Sequence, residues 1–330
     1  MHLLSFDWNS SQILFTLGPI QIRYYSLMFI VAFALGYYVT KKIYEKENIE
    51  IKLLDSLFMY AVIATLLGAR LGEVFFYNWD YYQNHLIEIL LPIKEDPNGT
   101  LFGFINGYKF TGFAGLASHG AAIGIIVAMY LYRRKYQYKS LLWILDRIVI
   151  AVSLGGVFVR IGNFFNAEIV GKPVAESFPL AVRFIRHSSD LHPKRAMEIT
   201  NLTNSDAAYE TIATNPQFAE VVSGIPFRHP AQLYESFCYI FVFIILWYVY
   251  WKTDKKHKVG YIFGLFLVLL WTVRFLVEFV KESQGGFEDM FGNVLSTGQW
   301  LSIPFIIAGF YFMFRNSKTT NTDTNKTATS

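Results

Sequence analysis

Between Gly155 and Gly171 the chain reads GGVFVRIGNFFNAEIVG, which places Arg160, Asn163, Asn166 and Glu168 at the end of a long apolar run. A guanidinium stays charged at every accessible pH and forks onto paired oxygens, so its natural partner is a phosphate or a carboxylate. Burying one at the centre of a bilayer costs about 2.5–3.5 kcal/mol, and such a residue therefore faces a polar cavity or a partner rather than lipid. Arg160 and Asn163 are three residues apart and share a face of a continuing helix, and glycines at 155, 156, 162 and 171 let a backbone or a head group come close. The plainer alternative, an arginine snorkelling to water from a helix end, sits poorly with the polar residues crowded after it. A second buried cation stands in WTVRFLVEFVKES, where Arg274 and Glu278 are four apart on one face, as a structural pair or as a further anion contact. Two arginines in apolar surroundings suit an anionic phospholipid head group.

Other polar residues also fall where hydrocarbon is expected. Tyr25 lies at the start of IRYYSLMF, an ordinary place for an interfacial tyrosine. In GARLGEVFFYN, Arg70 and Glu73 are three apart and able to pair on one face. His119 enters an apolar run in GLASHGAAIG, flanked by Gly115, Gly120 and Gly124, which permit close helix packing. Its imidazole is suited to proton transfer near neutral pH, although a lone histidine is also a common core residue. The segment HPAQLYES carries His229, Gln232, Tyr234 and Glu235; Pro230 is compatible with a first helical turn, so Gln232 and Glu235 share a face and Tyr234 lies elsewhere.

These segments resemble a known family. RIGNFFNAEIVG is close to GRxGNFxNxExxG, the signature of the bacterial prolipoprotein diacylglyceryl transferases, and further matches are similar to the family's motifs: IRYYS around Tyr25, GARLGEVFFYN (GGRLGYVxFYN), SHGAAIG (S-x-HG-x-x-x-G), HPAQLYE (HPxQLYE), RFLVEF (R-x-x-x-EF) and LSTGQWLSIP (LSxGQWLSxP), the last a helix start. Two departures stand out. Glu73 replaces the usual aromatic, which leaves Arg70 as the residue that carries over, and Leu270 stands where members often have a tyrosine four residues before Arg274.

The resemblance implies transfer of the diacylglyceryl group of phosphatidylglycerol to the lipobox cysteine thiol of a prolipoprotein signal peptide, forming a thioether and releasing glycerol phosphate, in the bacterial cytoplasmic (inner) membrane. It further implies that His119, Arg160 and Arg274 are catalytic. Tyr25, Arg70, Asn163, Glu168, Gly171, His229, Gln232, Tyr234, Glu235 and Glu278 are then expected to bind substrate. For His119 two roles stay open, removal of the thiol proton and orientation of the head group. The substrate brings its own nucleophile, so no reactive enzyme cysteine is needed; the single Cys238 lies in an apolar run as a packing residue, and excludes an internal disulfide or a Cys-rich metal site. No Asp/Glu/His cluster with ligand spacing is evident, and neither a metal, a cofactor nor a nucleic-acid partner is expected.

The elements that must position these residues are membrane spans. With 53% hydrophobic and only 16% charged residues in 330, the chain is too apolar for an ordinary soluble domain. Apolar runs near 23–40, 54–76, 112–132, 141–160, 232–251, 259–279 and 298–314 are long enough to cross a bilayer. Lysines and arginines collect after the first, third and fifth runs, which by the positive-inside rule gives seven transmembrane helices with the N-terminus out and the C-terminus in. The expected fold is an all-α integral membrane protein: a polytopic catalytic domain over 1–315, a small outer head at about 172–228 between spans four and five, and a disordered cytoplasmic tail, 316–330. The first twenty residues lack a signal-peptide pattern and are placed at the outer interface. Within 77–111 an interfacial amphipathic helix is expected. Asp146 is expected to pair locally with Arg147. The competing reading is a polytopic transporter or lipid-binding protein; no internal repeat is evident, and the polar motifs gather at the outer ends of the spans. An intramembrane protease lacks a Ser–His pair or Asp dyad.

Overall fold

The computed structural model describes residues 5–18, 20–101, 103–110, 117–282 and 294–316. The expected tail thus lies outside the described residues, apart from Asn316. In chain order the elements are β1 (Phe6–Trp8), β2 (Ile13–Leu17), β3 (Ile20–Arg23), α1 (Tyr24–Lys46), α2 (Ile51–Phe76), α3 (Trp79–Tyr82), α4 (Ile87–Leu90), β4 (Ile93–Leu101), β5 (Ile105–Phe110), α5 (Ser118–Tyr136) and α6 (Leu141–Phe165). After these come β6 (Val182–Phe184), α7 (Pro193–Thr200), α8 (Ser205–Thr214), α9 (Ala219–Ser223), β7 (Phe227–Arg228), α10 (Ala231–Lys252), α11 (Tyr261–Val277) and α12 (Thr297–Phe314).

Among the described residues each of the seven apolar runs overlaps a helix. Five of them, α1, α2, α6, α10 and α12, are long and apolar enough to cross a membrane, and α11 is a shorter apolar helix. Large apolar side chains stand exposed on them, among them Leu66 and Leu67 of α2, Phe237 and Phe241 of α10 and Ile307 of α12, while polar groups such as Asn163, Gln232 and Glu235 are buried. This inside-out distribution is what hydrocarbon solvation selects.

The chain divides into two compact units. The smaller comprises 13–23 and 37–144. Its centre is the crossing of α2 and α5, where glycines replace side chains: a Cβ on Gly120 would lie 2.5 Å from the Gly72 Cα. Such contact is made possible by small residues recurring every four positions, Gly68 and Gly72 against Gly120 and Gly124. The interfacial helix expected within 77–111 is instead two single turns, α3 and α4, followed by the antiparallel hairpin β4–β5. Pro97 and Gly99 inside this stretch disfavour a helix, and Lys109 pairs with Asp96 across the hairpin at 2.9 Å.

The larger unit comprises 1–12, 24–36 and 145–330. Here the all-α expectation needs correcting. β1 runs parallel to β6, which pairs antiparallel with β7, so the N-terminal residues complete a three-stranded sheet with the segment between α6 and α10. Trp8 anchors that strand, its indole Nε1 donating to the Phe164 carbonyl at 3.1 Å, beside a core of Phe164, Ala167, Val170, Val182 and Phe184. The segment also has a core of its own, formed by Ile185, Leu191, Ala196, Ala208, Tyr209, Ile212 and Ile225. His192 caps α7, which carries Pro193 in its first turn.

Asp146 makes the expected pair with Arg147 and further contacts besides. Its carboxylate stands 3.7 Å from the Arg147 guanidinium, but its short contacts are to the N–H groups of Gly260, at 2.6 Å, and Phe263, at 2.8 Å. It therefore caps α11 from another helix, satisfying donors that the helix start leaves open.

Candidate functional site

The polar residues of the larger unit converge on one carboxylate. Glu235, nearly fully buried on α10, receives Arg160 Nε on one oxygen at 2.5 Å and Arg274 Nη1 on the other at 3.7 Å. The two guanidinium groups thus come from α6 and α11 and meet around a single negative charge. In an apolar surrounding two unpaired cations would repel strongly, and the carboxylate holds them together.

Arg160 is steered by its own helix. Its Nη1 donates to Asn163 Oδ1 at 3.1 Å, the contact that the three-residue spacing predicts, and the Tyr25 hydroxyl lies beside Asn163. The tyrosine ring lies on the backbone of Gly162, where a Cβ would fall 2.6 Å from its Cδ2. After Phe165 the chain leaves the helix through Ala167 and Ile169, both at positive φ, and Asn166 Nδ2 reaches Glu168 Oε1 at 3.3 Å. The Glu168 carbonyl accepts from Gln232 Nε2 at 2.6 Å, which fastens this turn to the start of α10. Gly171 then passes between two other strands of chain: its N–H donates to the His229 carbonyl at 2.9 Å, and a Cβ there would sit 2.5 Å from His229 Cβ and 2.8 Å from the Val280 carbonyl. Backbone approach this close requires glycine.

Arg274 does not pair with Glu278. The Glu278 carboxylate faces Lys281 at 3.5 Å, while Arg274 lies beside the Tyr239 hydroxyl and reaches Glu235. Lys281 is buried, and that burial pushes its ammonium below the ordinary lysine value against the opposing pull of Glu278. His229 and Tyr234 face each other, Nδ1 to hydroxyl, at 3.3 Å, with the His229 ring against Phe178. Burial pushes the His229 imidazole below its usual value.

The profile of the family "Prolipoprotein diacylglyceryl transferase" matches residues 12–315. Curated relatives named phosphatidylglycerol–prolipoprotein diacylglyceryl transferase include one from Bacteroides fragilis, 37% identical over 94% of this chain and 95% of the relative. Others are from Chloroherpeton thalassium, 35% identical over 94% of each chain, and from Tolumonas auensis, 34% identical over 94% of this chain and 97% of the relative. The chain belongs to the prolipoprotein diacylglyceryl transferase family. It is therefore a transferase, and the transporter reading is not favoured.

Within this family member the remaining expected site residues belong to the smaller unit. Arg70 is buried and does not take Glu73: its Nε donates to the Ile89 carbonyl at 3.0 Å and its Nη2 to the Glu88 carbonyl at 2.5 Å, over the ring of Tyr82. Glu73 accepts from Asn78 instead, at 2.7 Å. Arg70 thus holds the turn after α2 in place. His119 is the second residue of α5, and its side chain lies outside the described residues. Folding also gathers His85, Glu88 and Glu95, whose ligand atoms lie within 4.8 Å of one another, a cluster that the linear spacing concealed. The Glu88 oxygens there already accept the Glu95 N–H at 2.8 Å and the Tyr81 hydroxyl at 2.9 Å. Burial and that hydrogen bond push the Tyr81 phenol up to about 12.

Sequence reasoning missed Tyr239 and Lys281. Tyr239 was legible in principle, since Gln232, Glu235 and Tyr239 recur at three- and seven-residue offsets on one helical face. It brings a phenol to Arg274 in a chain that has Leu270 four residues before that arginine. A four-membered network also went unseen: Arg228 forks onto Asp190 at 2.6 and 2.7 Å and reaches Glu282 at 3.0 Å, and Glu282 meets His187 at 3.2 Å.

Proposed function

We propose that the protein transfers the diacylglyceryl group of phosphatidylglycerol to the lipobox cysteine of prolipoprotein signal peptides, with Arg160 and Arg274 holding the phosphate. The thiolate sulfur attacks the glyceryl carbon that bears the phosphate. A C–S bond forms as the C–O bond to phosphate breaks, the electron pair leaves with that oxygen, and glycerol phosphate departs. Because a thiol of pKa near 8.5 is mostly protonated at neutral pH, a base is useful, and His119 is the candidate to take its proton.

The observation that carries this reading is the meeting of two guanidinium groups on one buried carboxylate. The leaving phosphate gains negative charge as the bond breaks, and cations already in place stabilise that charge without reorganising. Unused hydrogen-bonding capacity supports the same reading. Among the described residues Arg274 Nε, a donor, and Gln232 Oε1 and Asn166 Oδ1, both acceptors, are buried without a partner. A phosphate oxygen matches the first, and the hydroxyls of a glycerol head group match the other two. Asn163, Glu168 and Gly171 shape the glycerol and phosphate contacts.

Seven spans, the N-terminus outside, the C-terminus and the basic loops inside, and 172–228 as an outer head belong to the same proposal, supported by the lysines and arginines that follow α1, α5 and α10. Residence in the cytoplasmic membrane follows from the substrates. The test is to measure lipidation of a lipobox peptide in phosphatidylglycerol vesicles with Arg160→Ala and Arg274→Ala. Loss of at least about a hundredfold in each is expected, the scale seen when one charge-stabilising group is removed from an active site. Near-parental rates in both variants would remove the phosphate assignment.

A further inference from the structure

The start of α12 lies against Glu278. Ser296 caps this helix, its Oγ accepting the Gln299 N–H at 3.2 Å while Gln299 Oε1 accepts the Ser296 N–H at 3.0 Å. Two residues beyond the cap is Gly298. A Cβ built there would have as its three nearest neighbours the carboxyl carbon and both oxygens of Glu278, at 2.5, 2.6 and 2.7 Å. The Glu278 carboxylate therefore rests on the backbone of the first turn of α12, with the Lys281 ammonium 3.5 Å away. Both neighbours suit a negative charge, the helix start through its dipole and the lysine through its charge.

The other place open to this carboxylate is Arg274, four residues earlier on the same helical face, a spacing at which carboxylate and guanidinium pair readily. In the structure Arg274 faces Glu235 and Tyr239 instead, and among the described residues its Nε has no partner. We propose that Gly298 is a positioning residue for the transfer reaction: its lack of a side chain lets Glu278 rest on the start of α12 beside Lys281, which keeps that carboxylate from neutralising Arg274. The inference rests on the reading of Arg274 as a phosphate ligand. A methyl group at 298 displaces the carboxylate towards the arginine, where it competes with the phosphate of substrate and product alike.

Two constants report on that competition in the full-length protein in vesicles: KM for phosphatidylglycerol, and inhibition by added glycerol phosphate. Gly298→Ala is expected to raise both KM and the inhibition constant by roughly tenfold, within the range of coupling between contacting residues, with KM for the lipobox peptide unchanged. Glu278→Asp withdraws the carboxyl by one methylene. In that background, adding Gly298→Ala should change either constant by less than about twofold, the mark of coupled rather than independent sites. Gly309→Ala serves as a packing control, since its Cβ would press on the Gly264 carbonyl at 2.7 Å; it should lower the thermal midpoint and leave both constants alone. Lys281→Met approaches the question without touching α12, and should weaken glycerol phosphate inhibition in the parent but not in Glu278→Gln.

Parental constants in Gly298→Ala, or an equal effect with and without Glu278→Asp, overturn the inference while Arg274→Ala remains inactive. If Gly298→Ala does not accumulate in membranes, the Lys281→Met comparison decides by the same criterion. A near-parental Arg274→Ala instead removes the phosphate reading itself, and this inference with it.

Discussion

Glu235 does more than contribute one more polar group to a crowded site. With Arg160 and Arg274 on its two oxygens it is the buried negative charge that allows two cations to share one place. Removing one partner of a buried charge cluster costs about 3–5 kcal/mol because the remaining charge is left uncompensated. Glu235→Gln should therefore lower the thermal midpoint in detergent strongly. Added glycerol phosphate should restore much of the loss, because a bound dianion takes over the neutralising role. Failure of any such anion to stabilise the variant would count against a phosphate site at this position. At this scale the sequence was informative about identity and poor at partnership. Arg160, Asn163, Glu235 and Arg274 were legible as chemistry-bearing because charge in an apolar run is costly. The pairings Arg70–Glu73 and Arg274–Glu278, read from spacing along one helix, were not realised, since a long side chain chooses among all neighbours and not only those on its own helix.

The same limit holds for whole elements. α11 carries Arg274, and its first turn is capped not by a residue before it but by Asp146 of α6, through the Gly260 and Phe263 N–H groups. Asp146→Ala should cost about 1–2 kcal/mol, as for a lost helix cap, seen as a lower midpoint and, because α11 holds Arg274, as a slower transfer rate. A midpoint equal to that of the parent would show the cap to be dispensable. By contrast α12 announced itself, since LSTGQWLSIP contains the Ser296–Gln299 capping box that the structure contains. A cap supplied within four residues is written in the sequence, and one supplied across 114 residues is not. The hairpin β4–β5 and the strand β1 were missed for a related reason. Short strands are stabilised by pairing, and their partners are named only by the fold.

Across the molecule, the segment between α6 and α10 is tied to the functional site by Arg228. Its guanidinium binds Asp190 within the segment, Glu282 just beyond the end of α11, and the Gly171 carbonyl at 3.2 Å. Backbone bonds from Lys172 N–H to the Val280 carbonyl, at 2.8 Å, and from Glu282 N–H to the Val170 carbonyl, at 3.1 Å, run alongside it. The chain carrying Gly171 and the chain leaving Arg274 and Glu278 are thus held in one register by this segment. Arg228→Ala leaves Asp190 with an uncompensated, largely buried charge, and a loss of about 3–5 kcal/mol is expected. The midpoint and the transfer rate should fall together, while Arg228→Lys, which keeps the charge but not the fork, should recover only part of either. Full recovery with lysine would mean that charge alone matters.

By itself the sequence determined that this chain lives in a membrane, that it carries the family's signature residues, and which side chains bear charge where charge is expensive. Those properties depend on composition, local periodicity and motif, all of which are read along the chain. Only the tertiary structure decided that Arg160 and Arg274 share Glu235, that Tyr239 serves Arg274, that Asp146 caps a distant helix, and that Gly298 lies beneath Glu278. The physical reason is that a buried charge is stabilised by whatever lies within about 4 Å of it, and which residues those are is settled by packing between elements far apart in the chain.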